Sequence, residues 1–231
     1  MFTEKESKDW LVKGEDRAID PFLTGSIKVP EKLLEDLPDV NLSEALVVSL
    51  VDEKTGVTTR AKKSEVRQAK SITINENQYP QYWALWKEAE GLVREWQERF
   101  PQYFSIWRAD GGELVRYDKN DYFKLHRDAP SRTRREVPIT PEDPLYYRAV
   151  IMCIGLSDKD SYEGGELTFP SEGKAFKLGL GDILVFPAVM LHYLTEITQG
   201  SRYIIFGGAF CEFTNNANLE LYCTQFDRTS E

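Results

Sequence analysis

Residues 163–210 read EGGELTFPSEGKAFKLGLGDILVFPAVMLHYLTEITQGSRYIIFGGAF, and their reading decides the fold. Five short runs, within 166–169, 175–178, 183–186, 192–197 and 202–210, carry the β-branched and aromatic residues that suit a pleated sheet. Gly or Pro punctuates the gaps, as at Pro170, Gly173, Gly181, Pro187 and Gly200. Short strands so spaced, with no helix between them, indicate an antiparallel sandwich, barrel or jelly roll.

Upstream, further strands are expected within 103–109, 113–117, 123–127 and 148–156, the first two joined as a hairpin through Asp110-Gly111-Gly112. Before them, Trp83, Trp86, Ala89, Val93, Trp96 and Phe100 recur at three- and four-residue steps. That spacing predicts one apolar stripe on a helix of about five turns, begun at Pro80 and ended at Pro101, which packs on the sheet. The expected fold is therefore mainly β with supporting helices.

Between Asp128 and Arg148 lies APSRTRREVPITPEDPLYY, residues 129–147, longer than an ordinary connection and without periodicity. It reads as a lid, with Arg132, Arg134 and Arg135 making its first part basic. Residues 1–75 are expected to form an extension packed on the core, including a short helix at 31–37, a strand within 45–51, a turn at Thr55-Gly56 and a surface helix or linker at 60–70. Residues 76–215 are expected to form the main domain and 216–231 a C-terminal tail.

The whole chain has 231 residues, 29 Lys+Arg against 38 Asp+Glu, and a net charge of −9. That balance lacks the basic footprint of a nucleic-acid or anionic-membrane binder. Three dispersed cysteines form no C-x-x-C pair, which argues against a disulfide framework or a thiolate zinc site. The leading MFTEKESKDW is not a signal-peptide pattern, and no apolar run is long enough to span a membrane. A cytoplasmic setting is the expectation.

Only two histidines are present, His126 and His192. In His126-Arg127-Asp128 the imidazole and the carboxylate fall two residues apart, on one face of a strand, so both can reach one point. His192 follows the buried-looking run Ile183-Leu184-Val185-Phe186 on a distant strand. Together the three supply a 2-His-1-carboxylate face, the set that holds non-haem Fe(II) and leaves three of six octahedral positions free. Arg202, ten residues after His192, has the bidentate geometry to recognise a carboxylate. Neither histidine sits in a Gly-x-Ser-x-Gly elbow or an H-E-x-x-H motif.

The ordered blocks Tyr117…Phe123…His126-Arg127-Asp128, Glu163-Gly164-Gly165-Glu166-Leu167-Thr168-Phe169-Pro170, Gly181-Asp182…Phe186-Pro187, Leu191-His192 and Gly200-Ser201-Arg202-Tyr203 resemble those of Fe(II)- and 2-oxoglutarate-dependent oxygenases of the prolyl 4-hydroxylase type. The resemblance covers about 114–210, less than half the chain. It implies a double-stranded β-helix, the cupin-like jelly roll, with His126, Asp128 and His192 as iron ligands. It also implies that Arg202 pairs with the distal carboxylate of 2-oxoglutarate and that Tyr117 lines the cosubstrate pocket. The family consumes O2 and converts 2-oxoglutarate to succinate and CO2 while hydroxylating a substrate, with ascorbate as the expected reductant. Asp128 stands where halogenating relatives have a small residue, so hydroxylation is implied. Cys153, Ile154 and Gly155 occupy the region where some prolyl hydroxylases have a cosubstrate-binding tyrosine, which leaves Thr168 and Tyr203 as candidate second partners.

The substrate implied by this resemblance is a peptidyl proline in a peptide or protein. One alternative is a free amino acid or small metabolite held by Arg132, Arg134 or Arg135. Another is a jelly-roll module that binds metal without turnover.

Overall fold

The computed structural model describes residues 20–37, 42–44, 48–51, 58–61, 66–100, 104–109, 112–128, 145–213 and 216–226. In chain order the first strands are β1 (Leu23–Ser26), β2 (Ser43–Glu44), β3 (Val48–Val51), β4 (Thr58–Ala61), β5 (Arg67–Gln68) and β6 (Lys70–Thr73). After them come β7 (Phe104–Ala109), β8 (Glu113–Tyr117), β9 (Tyr122–His126), β10 (Leu145–Gly155), β11 (Tyr162–Gly164) and β12 (Leu167–Phe169). The series ends with β13 (Lys174–Phe176), β14 (Asp182–Pro187), β15 (His192–Leu194), β16 (Ile197–Gly200) and β17 (Arg202–Phe213). Among the described residues the α-helices are α1 (Glu31–Asp36), α2 (Pro80–Glu98) and α3 (Asn216–Phe226).

The strands build a mainly antiparallel jelly roll. The larger sheet runs β1-β14-β10-β17-β8-β6-β2, with β7 also on β17; a smaller one runs β13-β12-β15-β9-β5, and β11-β16 and β3-β4 form two-stranded pairs. Every pairing between described strands is antiparallel. Val150, Ile151, Ile154, Leu184 and Ile205 are fully or almost fully shielded and belong to one buried apolar cluster. Removing such side chains from water is the main driving term for a sheet fold.

Helix α2 lies against β7 and β14 of the larger sheet. Its buried seam runs through Tyr82, Leu85, Trp86, Ala89, Val93 and Trp96, whereas Trp83 is only partly buried. The seam is thus turned slightly from the expected stripe: Tyr82 goes inward, its hydroxyl donating to Leu33 O at 3.2 Å. Trp86 fits because position 207 is glycine; a Cβ there would lie 2.9 Å from the indole ring.

Three local expectations change. The 103–109 and 113–117 segments are not partners in a hairpin, since β7 and β8 both pair with β17, β7 along Ala209–Phe213 and β8 along Arg202–Phe206. Gly112 O accepts from Ile74 N at 2.8 Å. The described part of the 60–70 stretch contains no helix: it holds the end of β4, β5 and the start of β6, with Val66 in a turn and Ala69 between strands. Beyond residue 215 the chain forms α3, with Leu219 and Tyr222 fully buried and the Tyr222 hydroxyl donating to Ala149 O.

The described part of 1–75 supplies strands to both sheets: β1 on β14, β6 on β8, and β5 on β9. The turn at Thr55-Gly56, Ala45 to Val47 of the expected strand, and all of 129–144 in the expected lid lie outside the described residues, as do Arg132, Arg134 and Arg135. Residues 145–147 are the first of β10. Among the described residues no helix is long and apolar enough to cross a membrane.

Candidate metal centre and anion pocket

The two strands that carry the histidines are neighbours in the smaller sheet. Strand β15 pairs with β9, and His192 stands directly opposite His126 in their register. Asp128 follows β9, and its backbone N–H donates to Ala188 O at 3.0 Å. The ligand atoms of His126, Asp128 and His192 all lie within 4.8 Å of one another. Asp128 Oδ1 is 3.5 Å from His126 Nε2, and Oδ2 is 3.2 Å from His192 Nε2.

The outer nitrogens are fixed by main-chain oxygens. His126 Nδ1 is 2.7 Å from Lys124 O, and His192 Nδ1 is 2.9 Å from Met190 O. A carbonyl only accepts, so each Nδ1 carries the proton and, in the neutral ring, each Nε2 turns a lone pair toward Asp128. Burial, reinforced by His192, lowers the His126 pKa and favours that neutral ring. Burial works against the Asp128 charge, but His192 and His126 beside it outweigh this and hold the carboxyl well below the usual carboxylate range.

These groups fit a bound metal ion. His126 Nε2 and Asp128 Oδ2 are buried with no hydrogen-bond partner, a costly arrangement for the protein alone. Two imidazole nitrogens and a carboxylate converging from one side are the donor set of a facial non-haem iron site. Phe123 stacks on the His126 ring at a centroid distance of 3.4 Å, which restrains the imidazole.

A pocket opens beside the triad, with Phe186, Leu194, Ile204 and Phe206 in its wall. Arg202, 1% exposed, enters from β17 of the larger sheet, where it pairs in register with Tyr117 of β8. Its guanidinium lies 5.7 Å from the Tyr117 ring centroid and its Nε has no hydrogen-bond partner. Burial pushes the Tyr117 hydroxyl up, with Arg67 and Arg202 pulling the other way, so the phenol stays protonated near neutral pH.

No family model matches the chain. A PKHD-type hydroxylase of Methylobacterium nodulans is 41% identical over 96 residues, which is 39% of this chain and 39% of that protein. One from Xylella fastidiosa is 33% identical over 95 residues, 39% of this chain and 40% of the relative. The matched stretch therefore spans about two-fifths of the length of these curated relatives. Among solved structures, a viral collagen prolyl hydroxylase from Paramecium bursaria Chlorella virus-1 superposes with a TM-score of 0.57 at 12% identity, covering 83% of this chain and 97% of that one. A prolyl hydroxylase from Trichoplax adhaerens, solved with a peptide of hypoxia inducible factor, gives 0.58 at 14% identity, covering 88% and 87%.

The chain shares the fold of these two solved structures. Within that fold the Gly164-Gly165 pair has a local reason. Gly165 adopts φ +65°, and a Cβ there would stand 2.5 Å from Ile197 Cδ1 and 3.0 Å from Arg202 Cδ, so the missing side chain makes room for the arginine stem. Cys153 lines the same pocket as a buried thiol, its pKa pushed up to about 12 by burial, and so stays neutral. Neither Thr168 nor Tyr203 is in the pocket wall. Instead Tyr162 lies within electrostatic range of Arg202 while its hydroxyl donates to Leu178 O at 2.7 Å. Sequence reasoning missed Tyr162 and Arg67. Tyr162 immediately precedes the Glu163-Gly164-Gly165 block, and that adjacency was the available signal.

The turn that leads into Arg202 is braced by Asp118. Its Oδ1 accepts from Ser201 Oγ at 2.7 Å and from Arg116 Nε at 2.6 Å. Burial would raise this carboxyl, but the bonds from Ser201 and Arg116 outweigh it and hold the pKa below 3.8. A depressed carboxylate pKa gives stability that is complete above the unfolded-state value and lost as pH falls through the folded one. Asp118→Asn is thus expected to lower the urea midpoint at pH 7, and the difference from wild type should shrink steadily below about pH 3.8. A difference that stays constant from pH 7 to pH 3 would show that the carboxylate charge contributes nothing.

Proposed function

We propose that the protein is an Fe(II)- and 2-oxoglutarate-dependent dioxygenase that hydroxylates a peptidyl proline. The convergence of His126, Asp128 and His192 on one point beside a pocket floored by Arg202 carries this reading. The hydroxylase names of the curated relatives support it. So does HygX from Streptomyces hygroscopicus, of similar fold at a TM-score of 0.52, solved with nickel and 2-oxoglutarate bound.

His126, Asp128 and His192 would hold the metal, with Lys124 O and Met190 O keeping both imidazoles in the ligating tautomer. When bound, iron supplies the redox chemistry that couples decarboxylation of 2-oxoglutarate to substrate hydroxylation. Arg202, with Tyr162 in electrostatic range, would pair with the distal carboxylate. Tyr117, protonated, would donate a hydrogen bond to the cosubstrate. Phe186, Ile204 and Phe206 exclude water, which strengthens those polar contacts. Ascorbate would serve as reductant and O2 as the second cosubstrate.

Proline in a peptide is favoured over a free metabolite by the prolyl hydroxylase fold and by the peptide-bound Trichoplax neighbour. We read residues 76–215 as the oxygenase domain, completed by edge strands from the preceding residues. Three buried free cysteines suit a reducing, cytoplasmic setting. Mass spectrometry of a proline-containing peptide library, incubated with the iron-loaded protein, 2-oxoglutarate and ascorbate, tests the substrate. A peptide gaining one oxygen on proline is expected. Oxygen gained only by added free amino acids would replace this reading with the metabolite one.

A further inference from the structure

A second guanidinium, Arg67, lines the same pocket. It is 8% exposed, and its Nε has no hydrogen-bond partner. Its nearest acid, Glu113, is 3.8 Å away and on the solvent side, with 38% of that side chain exposed. Such a distant, exposed carboxylate neutralises a buried cation poorly.

The position of Arg67 relative to the triad is distinctive. Strand β5 pairs with β9, placing Arg67 opposite Phe123, and its guanidinium lies 5.0 Å from the Phe123 ring centroid. Phe123 is the ring stacked on His126. Arg67 also lies within electrostatic range of the Tyr117 hydroxyl and of Asp128. Arg202 approaches the Tyr117 ring from β17, at 5.7 Å, while Arg67 lies 5.8 Å from it. The two cations therefore come from different sheets, Arg67 from the one that carries both histidines and Arg202 from the other.

A pocket with two buried guanidiniums, and no carboxylate among the described residues that line it, is complementary to a small dianion. Accepting the proposed function, we infer that Arg67 binds the metal-side carboxylate of 2-oxoglutarate, so that the cosubstrate bridges Arg67 and Arg202. Tyr117, between the two, keeps its own proton to donate. The cation stacked over Phe123 is thus a binding residue and not a structural plug.

Calorimetric titration of the nickel-loaded protein tests this without turnover. The probes are 2-oxoglutarate and 2-oxopentanoate, which keeps the keto-acid end and lacks the distal carboxylate. Arg67→Met is expected to weaken both by roughly tenfold or more, the loss of a buried charge-assisted hydrogen bond. Arg202→Met is expected to weaken 2-oxoglutarate alone. Arg67→Lys, which keeps the charge and covers the case of a poorly folding methionine variant, should recover part of the affinity. Folding and nickel content are checked by thermal unfolding and metal analysis. Unchanged affinity for both probes in a folded Arg67 variant overturns the inference, as does weakening of 2-oxoglutarate with 2-oxopentanoate untouched. Wild-type protein that binds nickel but neither probe would instead bring down the proposed function itself.

Discussion

His192→Ala is expected to yield a folded protein that no longer retains iron and forms no measurable succinate from 2-oxoglutarate. His192 is 2% exposed at the start of β15, opposite His126 in register, so no other described side chain can take its place in the ligand set. Loss of even a supporting outer partner at a metal site costs about 10- to 100-fold in affinity or activity, and loss of one of three ligands should exceed that. Equilibrium dialysis with Fe(II) measures the metal directly. The same result is expected for His126→Ala and Asp128→Ala. Retained iron and full turnover in any of the three would break the ligand assignment.

Arg202→Ala should separate cosubstrate binding from metal binding. The guanidinium is buried, meets Tyr162, and is accommodated by the absent side chain of Gly165. Truncating one member of a buried, hydrogen-bonded charge pair costs about 2–5 kcal/mol, so the 2-oxoglutarate requirement should rise about 30-fold or more. Iron content should be unchanged, because Arg202 comes from β17 and the ligands from the opposite sheet. An unchanged KM for 2-oxoglutarate would remove Arg202 from the pocket.

How much of this was legible in the sequence follows from the range of the interactions. The central strands could be read because their own residues decide them: Ile183 to Phe186 is buried at every position, and β14 spans it. The triad could be read because two residues at strand spacing share a face and only one further histidine exists. Strand partners were not readable in the same way. Asp110-Gly111-Gly112 carries hairpin composition, yet β7 and β8 are both held by β17, almost a hundred residues later, and that long-range pairing overrides the local signal. Arg67 was hidden for a related reason. In Arg67, Ala69 and Ser71 the inward face of a short edge segment is polar or small, so the stretch carries no apolar alternation to mark it as strand. Only its pairing with β9 brings that arginine to the pocket. The α3 helix shows the same dependence on tertiary packing, since Leu219 and Tyr222 are ordinary residues until β10 and β17 give them a surface to cover.

The count of two histidines makes the central claim simple to test. The decisive measurement is succinate formation from 2-oxoglutarate by the iron-loaded wild-type protein, with His192→Ala in parallel. The account predicts succinate from the wild type, dependent on Fe(II), and none from the variant. No succinate from iron-replete wild type across a broad peptide panel, or equal succinate from both proteins, would contradict it.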